Sequence, residues 1–325
     1  MPDLSDQKHI LLTGAGFSHN WGGWLSSEAF EFLLADPGIR MRRELLRTLW
    51  NHSANGYEDA IFALQTAYLQ RPNDEQARID LKVFLDAVRR MFTEMDRPVG
   101  SSLEFAHEPR NSVVQFLERF DSIFTLNQDL LLEGSYLPVS RHNVVIPGIT
   151  QDKNAQKIRH WLTGPCAYYP DTPLRVPPST QLYIKLHGSH NWNDPRVGGM
   201  MITGAAKSKA IDRFPLLSWY RELFRKQLAH TNCRLMIIGY SFRDEHINAV
   251  VTEAVLAGGL EVFVVDPRGH EVIKGVSEQD KLRTAFERGL LGASRRSMRD
   301  IFLSDSTEFK KLDYFAWNKR PRFWS

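Results

Sequence analysis

Short apolar runs alternate with segments of helical periodicity along most of the chain. Five runs predict strands: Ile10–Leu12, Ser122–Leu126, Gln181–Leu186, Arg234–Ile238 and Glu261–Val265. The fourth run is almost continuously apolar, which is typical of a central strand that is buried on both faces. Helical patterns separate the strands, so we predict an α/β fold, a Rossmann-like parallel sheet with helices on both faces.

Between the first and second predicted strands, the pattern is helical throughout. Apolar residues recur at three- and four-residue spacing in Met41–Trp50, Tyr57–Gln70 and Asp74–Met95. We therefore predict a helical subdomain, residues 38–118, inserted into a domain that spans residues 1–270. The apolar stripes of these helices are expected to form a core, and a subunit contact is the alternative.

Two other segments lack a clear repeating pattern. Residues 134–180 contain seven prolines and are predicted to form a long loop, a kind of segment that is usually functional or mobile. Residues 271–325 form a tail that is helical at first and then mixes basic with aromatic side chains. Such a tail can pack on the core, form a protein interface or contact nucleic acid.

The first predicted strand leads directly into a glycine-rich turn, Gly14-Ala15-Gly16-Phe17-Ser18. Glycines let the backbone approach a ligand closely, and a helix that starts here would direct free N–H groups toward a phosphate. Turns of this composition also occur where no ligand binds. The turn alone therefore does not establish a binding site.

Polar residues also stand where the other predicted strands end. They are Asn127 with Asp129, His187, Gly239-Tyr240-Ser241-Phe242, and Asp266. Local explanations exist, because Asp129 and Asp244 can cap helices and Asp266 precedes a proline in a turn. However, the carboxyl ends of parallel strands meet at one edge of a sheet. Their joint occurrence therefore predicts a dinucleotide site at that edge.

Composition excludes several other classes of protein. The chain has 325 residues and a formal net charge of +3, which is too small to demand a nucleic-acid partner. Its two cysteines, Cys166 and Cys233, cannot supply a disulfide framework or a four-cysteine zinc site. No apolar run has the length of a membrane span. We expect a cytoplasmic protein.

Four motifs, in their order along the chain, resemble the sirtuin-like NAD-binding domain, and most closely the bacterial branch found in anti-phage defence systems. They are Gly14-Ala15-Gly16-Phe17-Ser18, Thr125-Leu126-Asn127-Gln128-Asp129, Lys185-Leu186-His187-Gly188-Ser189 and Gly239-Tyr240-Ser241-Phe242. The resemblance implies that the first motif and Thr125 belong to the NAD+ site, with the glycine turn and Ser18 at the phosphates and ribose.

The resemblance also implies roles for single residues. Asn127 corresponds to an asparagine that orients the nicotinamide ribose and a water, Asp129 to an aspartate near the nicotinamide, and His187 to the catalytic histidine. The turn from Gly239 to Phe242 and Asp266 would lie beside the adenosine half of NAD+, with Ser241 contacting ribose or phosphate.

Sirtuin deacylases share this NAD pocket but carry a four-cysteine zinc module, which two cysteines 67 positions apart cannot build. The resemblance therefore implies an NAD+ hydrolase of anti-phage defence, with NAD+ as substrate and no zinc or other metal required. Asn127 would position the ribose and His187 would act as general base. The first alternative is a subunit that binds NAD+ or ADP-ribose without catalysis, and the second is an NAD-dependent protein deacylase.

An NAD+ hydrolase that is always active would kill its host, so we expect regulation by oligomerisation or by a partner. In the resembling family, short chains are encoded with HerA-type hexameric ATPases or short Argonautes. We predict a homo-oligomer that assembles with a HerA-type ATPase. Contact with nucleic acid would be indirect or through the basic tail, and no membrane partner is expected.

Overall fold

The computed structural model describes most of the chain. The described ranges are 7–53, 56–96, 113–154, 161–204, 207–275 and 279–298. Residues 276–278 and 299–325 of the predicted tail lie outside these ranges, and so do residues 97–112 of the predicted helical subdomain.

The described ranges contain eleven strands. They are β1 (Lys8–Thr13), β2 (Ser122–Thr125), β3 (Val144–Val145), β4 (Ile149–Gln151), β5 (Cys166–Tyr168), β6 (Gln181–Lys185), β7 (Gly188–Asp194), β8 (Gly198–Met201), β9 (Cys233–Ile238), β10 (Glu261–Val265) and β11 (Leu290–Ser294). All five predicted strands are present, each within two residues of its predicted ends.

The same ranges contain twelve α-helices. They are α1 (Ala15–His19), α2 (Ser26–Ala35), α3 (Pro37–Arg40), α4 (Arg43–Asn51), α5 (Tyr57–Gln70), α6 (Glu75–Asp96), α7 (Val113–Leu117), α8 (Leu131–Ser135), α9 (Lys207–Ile211), α10 (Pro215–Leu228), α11 (Glu245–Gly258) and α12 (Gln279–Gly289). Short 3-10 helices occupy Trp161–Thr163 and Gly269–Gly275. None of the described helices combines the length and apolar character that crossing a membrane requires.

The main sheet has seven strands in the order β11-β10-β9-β1-β2-β6-β3, and every neighbouring pair is parallel. Strand β1 lies in the middle, where Ile10 is opposite Leu235 on one side and Ser122 on the other. Ile10, Leu11 and Leu12 are all completely buried, although their side chains alternate between the two faces of the sheet. The predicted Rossmann-like α/β fold is confirmed.

A second sheet, in the order β4-β5-β7-β8, was not predicted. Strands β3, β4 and β5 lie within residues 134–180, the predicted loop, and are too short to give an alternating apolar pattern. Strand β7 begins at Gly188, directly after His187, so the chain passes from the main sheet into the second sheet at this point. His187 therefore stands in the short turn that joins a strand of the main sheet to a strand of the second sheet.

Helices α2 to α6, between β1 and β2 in the chain, share a hydrophobic core of their own. Its completely buried members include Leu33, Ile39, Leu49, Ile61 and Phe84. This core begins at Ala29 on α2, ahead of the predicted start of the helical subdomain at residue 38. The apolar stripes of these helices thus pack on one another.

A buried ion pair links β6 to α8. Lys185 Nζ lies 2.7 Å from Glu133 Oε1, and both side chains are completely buried. Tyr183 donates its hydroxyl proton to Glu133 Oε2 at 3.0 Å, and Lys185 also donates to the backbone carbonyl of Asp129. Burial raises the pKa of Glu133, and the charge of Lys185 opposes that rise. The pair fixes the strand before His187 against the segment after Asn127.

Candidate functional site

One large cavity opens at the carboxyl edge of the main sheet. Its volume is about 1740 Å³, and the residues after β1, β2, β6, β9 and β10 line it. From these five strand ends come Gly14, Asn127, His187, Gly239 and Asp266, respectively. The five predicted strand ends are therefore brought together around one space.

The opposite wall of the cavity comes from the segment between β1 and β2. Its apolar contributors include Trp24, Phe30, Trp50, Tyr57, Met91, Phe92 and Met95. Some of the periodic apolar residues of these helices therefore belong to the helical core and also line the cavity. The cavity has a polar side on the sheet and a more apolar side on the helices.

The glycine turn after β1 packs directly against the turn after β9. Gly14 donates its N–H to the Ile238 carbonyl at 3.0 Å, and Gly16 donates to the Gly239 carbonyl at 2.9 Å. Phe17 donates to the Gly14 carbonyl at 2.8 Å. A Cβ on Gly14 would lie 2.6 Å from the Gly239 oxygen. The expectation of free N–H groups is wrong for these three residues, because the glycines serve a backbone-to-backbone contact.

Replacing Gly239 with alanine is expected to destabilise this contact. Gly239 has φ +64°, and a Cβ there would lie 2.3 Å from the Phe17 nitrogen. The left-handed backbone alone costs about 1–2 kcal/mol, and displacement of the turn adds to that. Urea denaturation should show the loss. Gly258→Ala is the control, because it meets nothing within 4 Å and has no positive φ; equal stability of the two variants would contradict the prediction.

Asn127 is held by its amide nitrogen. Its Nδ2 donates to the Gly14 carbonyl and to the Ser18 hydroxyl, both at 2.9 Å. Its backbone N–H donates to Thr125 Oγ1 at 3.1 Å. With both Nδ2 protons used, Oδ1 remains as the polar atom that can accept a hydrogen bond from a ligand hydroxyl or a water.

Asp129 is connected to Asn127 through Ser18, whose hydroxyl also bonds the Asp129 side chain. Asp129 Oδ1 accepts the N–H of Leu131 at 3.1 Å, so it also serves the start of α8. Burial raises the pKa of Asp129; the charge of Lys185 opposes this rise and that of Asp96 adds to it. Asn127, Ser18 and Asp129 thus form one hydrogen-bonded unit at the cavity wall.

Four residues that the resemblance assigns to the NAD+ site lie behind the cavity wall. They are Phe17, Ser18, Thr125 and Phe242, and each is at most 3% exposed. Ser18 and Thr125 bond to Asn127, while Phe242 packs edge-on against Phe286. Among the other predicted contacts, Ala15, Tyr240 and Ser241 line the cavity.

His187 faces a second histidine that sequence reasoning missed. His187 Nε2 lies 3.2 Å from Nε2 of His246, in the first turn of α11, and both residues line the cavity. Burial lowers the pKa of His187 to about 3, against an opposing effect of Asp244. Burial likewise lowers the pKa of His246 to about 4. Both imidazoles are therefore neutral at pH 7, with one proton between the two facing nitrogens.

Asp244 was expected to cap α11, but its side chain makes no capping hydrogen bond. Instead, Asp244 Oδ1 lies 2.8 Å from Lys207 Nζ, which also lies 2.9 Å from Glu58 Oε2 on α5. Burial lowers the pKa of Lys207, but Glu58 and Asp244 outweigh it and hold the pKa above its usual range. This ion-pair network joins the sheet side of the cavity to the helical side.

Tyr240 and Asp266 both line the cavity, and hydrogen bonds hold each of them in place. The Tyr240 hydroxyl donates to Asn248 Oδ1 at 2.9 Å and accepts the Asp244 N–H at 3.1 Å, which fixes the turn after β9 to α11. Asp266 Oδ1 accepts the N–H of Arg268 at 2.9 Å and lies 3.4 Å from its Nε. Arg268 also lines the cavity, so the cavity wall contains the Arg268 guanidinium next to the Asp266 carboxylate.

A family model described as SIR2-like domain matches residues 121–287. A mutant Sir2 homologue in complex with ADP-ribose is 13% identical, with a TM-score of 0.38 over 95% of this chain and 94% of that chain. A Sir2 homologue in complex with NAD is 11% identical, with a TM-score of 0.34 over 87% of this chain and 91% of that chain.

No curated protein matches the chain. The matched residues include Asn127, His187 and the turn after β9, whereas the glycine turn after β1 precedes them. Because the family model covers more than half of its length, the chain belongs to the SIR2-like domain family.

Proposed function

We propose that the chain hydrolyses NAD+ to nicotinamide, ADP-ribose and a proton. The observation that carries this proposal is that Asn127 and His187, which follow the paired strands β2 and β6, line the same cavity as the glycine turn. A site that only bound the dinucleotide would need neither of these groups at the reacting ribose. Membership of the SIR2-like family supports the proposal.

In this reaction the bond between ribose C1′ and the nicotinamide nitrogen breaks, and its electron pair leaves with nicotinamide. The ring of NAD+ carries the positive charge, so the leaving group departs neutral and needs no proton. Water then adds to the cationic C1′, and His187 accepts one of its protons. Water that bonds to a cationic carbon is acidic, so even a weak base such as buried His187 can assist.

Asn127 would hold the ribose or the attacking water in place. Its Nδ2 bonds to Gly14 and Ser18 fix the plane of the amide, so Oδ1 has one direction in which to accept a hydrogen bond. Holding the reactants in the correct geometry before the reaction can remove a large part of the activation free energy. In this scheme Ser18 is a positioning residue that acts through Asn127.

We further propose that side chains balance the charge of the NAD+ diphosphate. The N–H groups of Gly14 and Gly16 are already used within the chain, whereas Arg243 and Arg268 line the cavity. Guanidinium groups match the geometry of phosphate oxygens. The adenosine half would then lie toward Asp266, as the resemblance implies.

Asn127→Ala tests the proposal. We expect nicotinamide release to fall by about 100-fold, the scale of loss for a misplaced reactant, as measured by chromatography of NAD+ turnover. The control is Asn154→Ala, since Asn154 is exposed in a turn away from the cavity and should keep the wild-type rate. A variant at Asn127 that releases nicotinamide at the wild-type rate would overturn the assignment.

A subunit that binds NAD+ or ADP-ribose without catalysis is the second candidate. The observation that favours it is the low pKa of His187, about 3, since the best general bases have a pKa near the working pH. Calorimetry with NAD+, run beside the turnover assay, separates the two. Binding without nicotinamide release in any assembly state would support the second candidate.

We also propose a role in anti-phage defence by depletion of NAD+, in the cytoplasm, as a homo-oligomer with a HerA-type ATPase. The resemblance supports the role and the partner. Cys166 and Cys233 are both buried and neither forms a disulfide, which suits a reducing compartment. NAD+ turnover by the chain alone and with such an ATPase, together with the mass of the complex, tests this part of the proposal.

A further inference from the structure

A cluster of three possible metal ligands, one of which is His187, lies in the wall of the cavity. His187, Asp244 and His246 each offer one ligand atom, and these atoms all lie within 4.8 Å of one another. All three residues line the cavity, so an ion can reach them from solvent. They come from two elements that are far apart in sequence, the β6–β7 junction and the start of α11.

The distances suit a small divalent transition metal. Zinc bonds imidazole nitrogen at about 2.0–2.1 Å, so two nitrogens in a tetrahedral site lie about 3.3 Å apart. The two Nε2 atoms are 3.2 Å apart. The other separations are at most 4.8 Å, so they would have to close by no more than about 1.5 Å to reach tetrahedral spacing, which a small movement of a side chain can provide.

We propose that His187, Asp244 and His246 together bind one Zn²⁺ ion. The metal would replace the proton that now lies between the two facing Nε2 atoms, and a water would complete the four ligands. Two imidazoles with one carboxylate are ligands that zinc accepts readily. This proposal departs from the expectation, implied by the resemblance, that no zinc or other metal is required.

The groups around the three ligands support such a site. Lys207 Nζ lies 2.8 Å from Asp244 Oδ1 and holds the carboxylate in place, as outer partners of metal ligands do, while the other oxygen, Oδ2, would bond the metal. The charge of Lys207 is itself balanced by Glu58 at 2.9 Å. Two carboxylates, those of Asp244 and Glu58, thus face the Lys207 ammonium, while the charge of Arg221, which also reaches His246, is paired with Asp212 at 2.7 Å.

Zinc at this place would inhibit NAD+ hydrolysis, an effect that rests on the proposed function. The metal would bind His187 Nε2 and place a positive charge on the imidazole, so His187 could no longer accept a proton from water. The chain would thus be an NAD+ hydrolase that free zinc switches off. Metal binding itself does not depend on that activity, so the two parts of the proposal can fail separately.

The binding part is tested without NAD+. Full-length chain, treated with a chelator and dialysed, is titrated with Zn²⁺ by calorimetry and with Co²⁺ by visible absorption, which reports tetrahedral geometry. We expect one ion per chain. His246→Ala and Asp244→Asn should each weaken binding by more than about 100-fold, since even the loss of an outer partner costs 10–100-fold.

His230→Ala is the matched control, because His230 is exposed after α10 and away from the cavity, and it should bind as the wild type does. Thermal unfolding with and without Zn²⁺ provides a second readout, in which only the wild type and the control gain stability. No binding, or binding that survives in His246→Ala and Asp244→Asn, would overturn the site. If zinc binds but nicotinamide release from NAD+ is unchanged or faster, the inhibitory role is wrong and the site stands.

Discussion

Replacing His187 with alanine is expected to lower the rate of nicotinamide release by about 10²–10⁴-fold, the usual contribution of a general base. The loss should appear in kcat, because the imidazole acts on the attacking water and does not hold the substrate in the ground state. Single-turnover release of nicotinamide, with NAD+ binding measured separately by calorimetry, gives both quantities. A parallel loss of NAD+ affinity is not expected.

Two comparisons sharpen this test. His230→Ala removes an exposed imidazole away from the cavity and should leave the rate unchanged. His187→Gln keeps hydrogen-bonding capacity near His246 but has no basic nitrogen, so it should be as slow as His187→Ala. If His187→Gln were to retain the wild-type rate, His187 would be a positioning residue and not the base.

Replacing Lys185 with methionine is expected to destabilise the fold by about 3–5 kcal/mol, the usual result of removing one partner of a buried ion pair. Methionine fills a similar volume, so the effect comes mainly from the Glu133 carboxylate, which is completely buried and would lose its cation. Urea denaturation followed by circular dichroism measures the change in the free energy of unfolding.

A second substitution separates charge from packing in this pair. Lys185→Met combined with Glu133→Gln removes both charges of the pair, and the double variant should be more stable than Lys185→Met alone. Arg225→Met is the surface control, because the Arg225–Glu253 pair is exposed on both sides and should change stability little. Equal losses from Lys185→Met and Arg225→Met would refute the importance of the buried pair.

The main sheet was predictable because short apolar runs in the sequence mark five of its strands. Leu235–Ile238 and Ile10–Leu12 are apolar without interruption, and they form the two central strands β9 and β1. Strands β4 and β5 have only three residues each, which is too short for periodicity to register. Strand β5 pairs with β7, and β4 pairs with β5, contacts that a local pattern does not contain.

The site was predictable in part for the same reason. Asn127, His187 and Asp266 stand directly after apolar runs, so their position at one edge follows from parallel strand order. His246 had a weaker signal, since it follows the turn after β9 by four residues. Asp244 fitted the simpler role of a helix cap, and only the position of Lys207, on a different element, shows that its carboxylate is used otherwise.

The two glycines of the turn after β1 can be explained in two ways, by a bound ligand or by a close contact within the chain. A glycine is required wherever backbone approaches closely, and the sequence does not distinguish a ligand from another turn of the same chain. Here Gly14 and Gly16 face Gly239, more than 220 residues away. Distance along the chain is what hides such a contact from local reasoning.

The position of β1 also sets the order in which the chain can fold during synthesis. Strand β1 is synthesised before the other strands of the main sheet. Its two edges can pair only after Ser122 of β2 and Leu235 of β9 have been synthesised, because Ile10 lies between these two residues. Helices α2 to α6 make mostly local contacts and can fold early, whereas pairings between distant segments are slow. In the nascent chain, helices α2 to α6 can therefore fold before the cavity at the carboxyl edge of the main sheet forms. An activity that consumes NAD+ would arise only after Gly239 has emerged, so unfinished chains would be harmless to the cell that makes them.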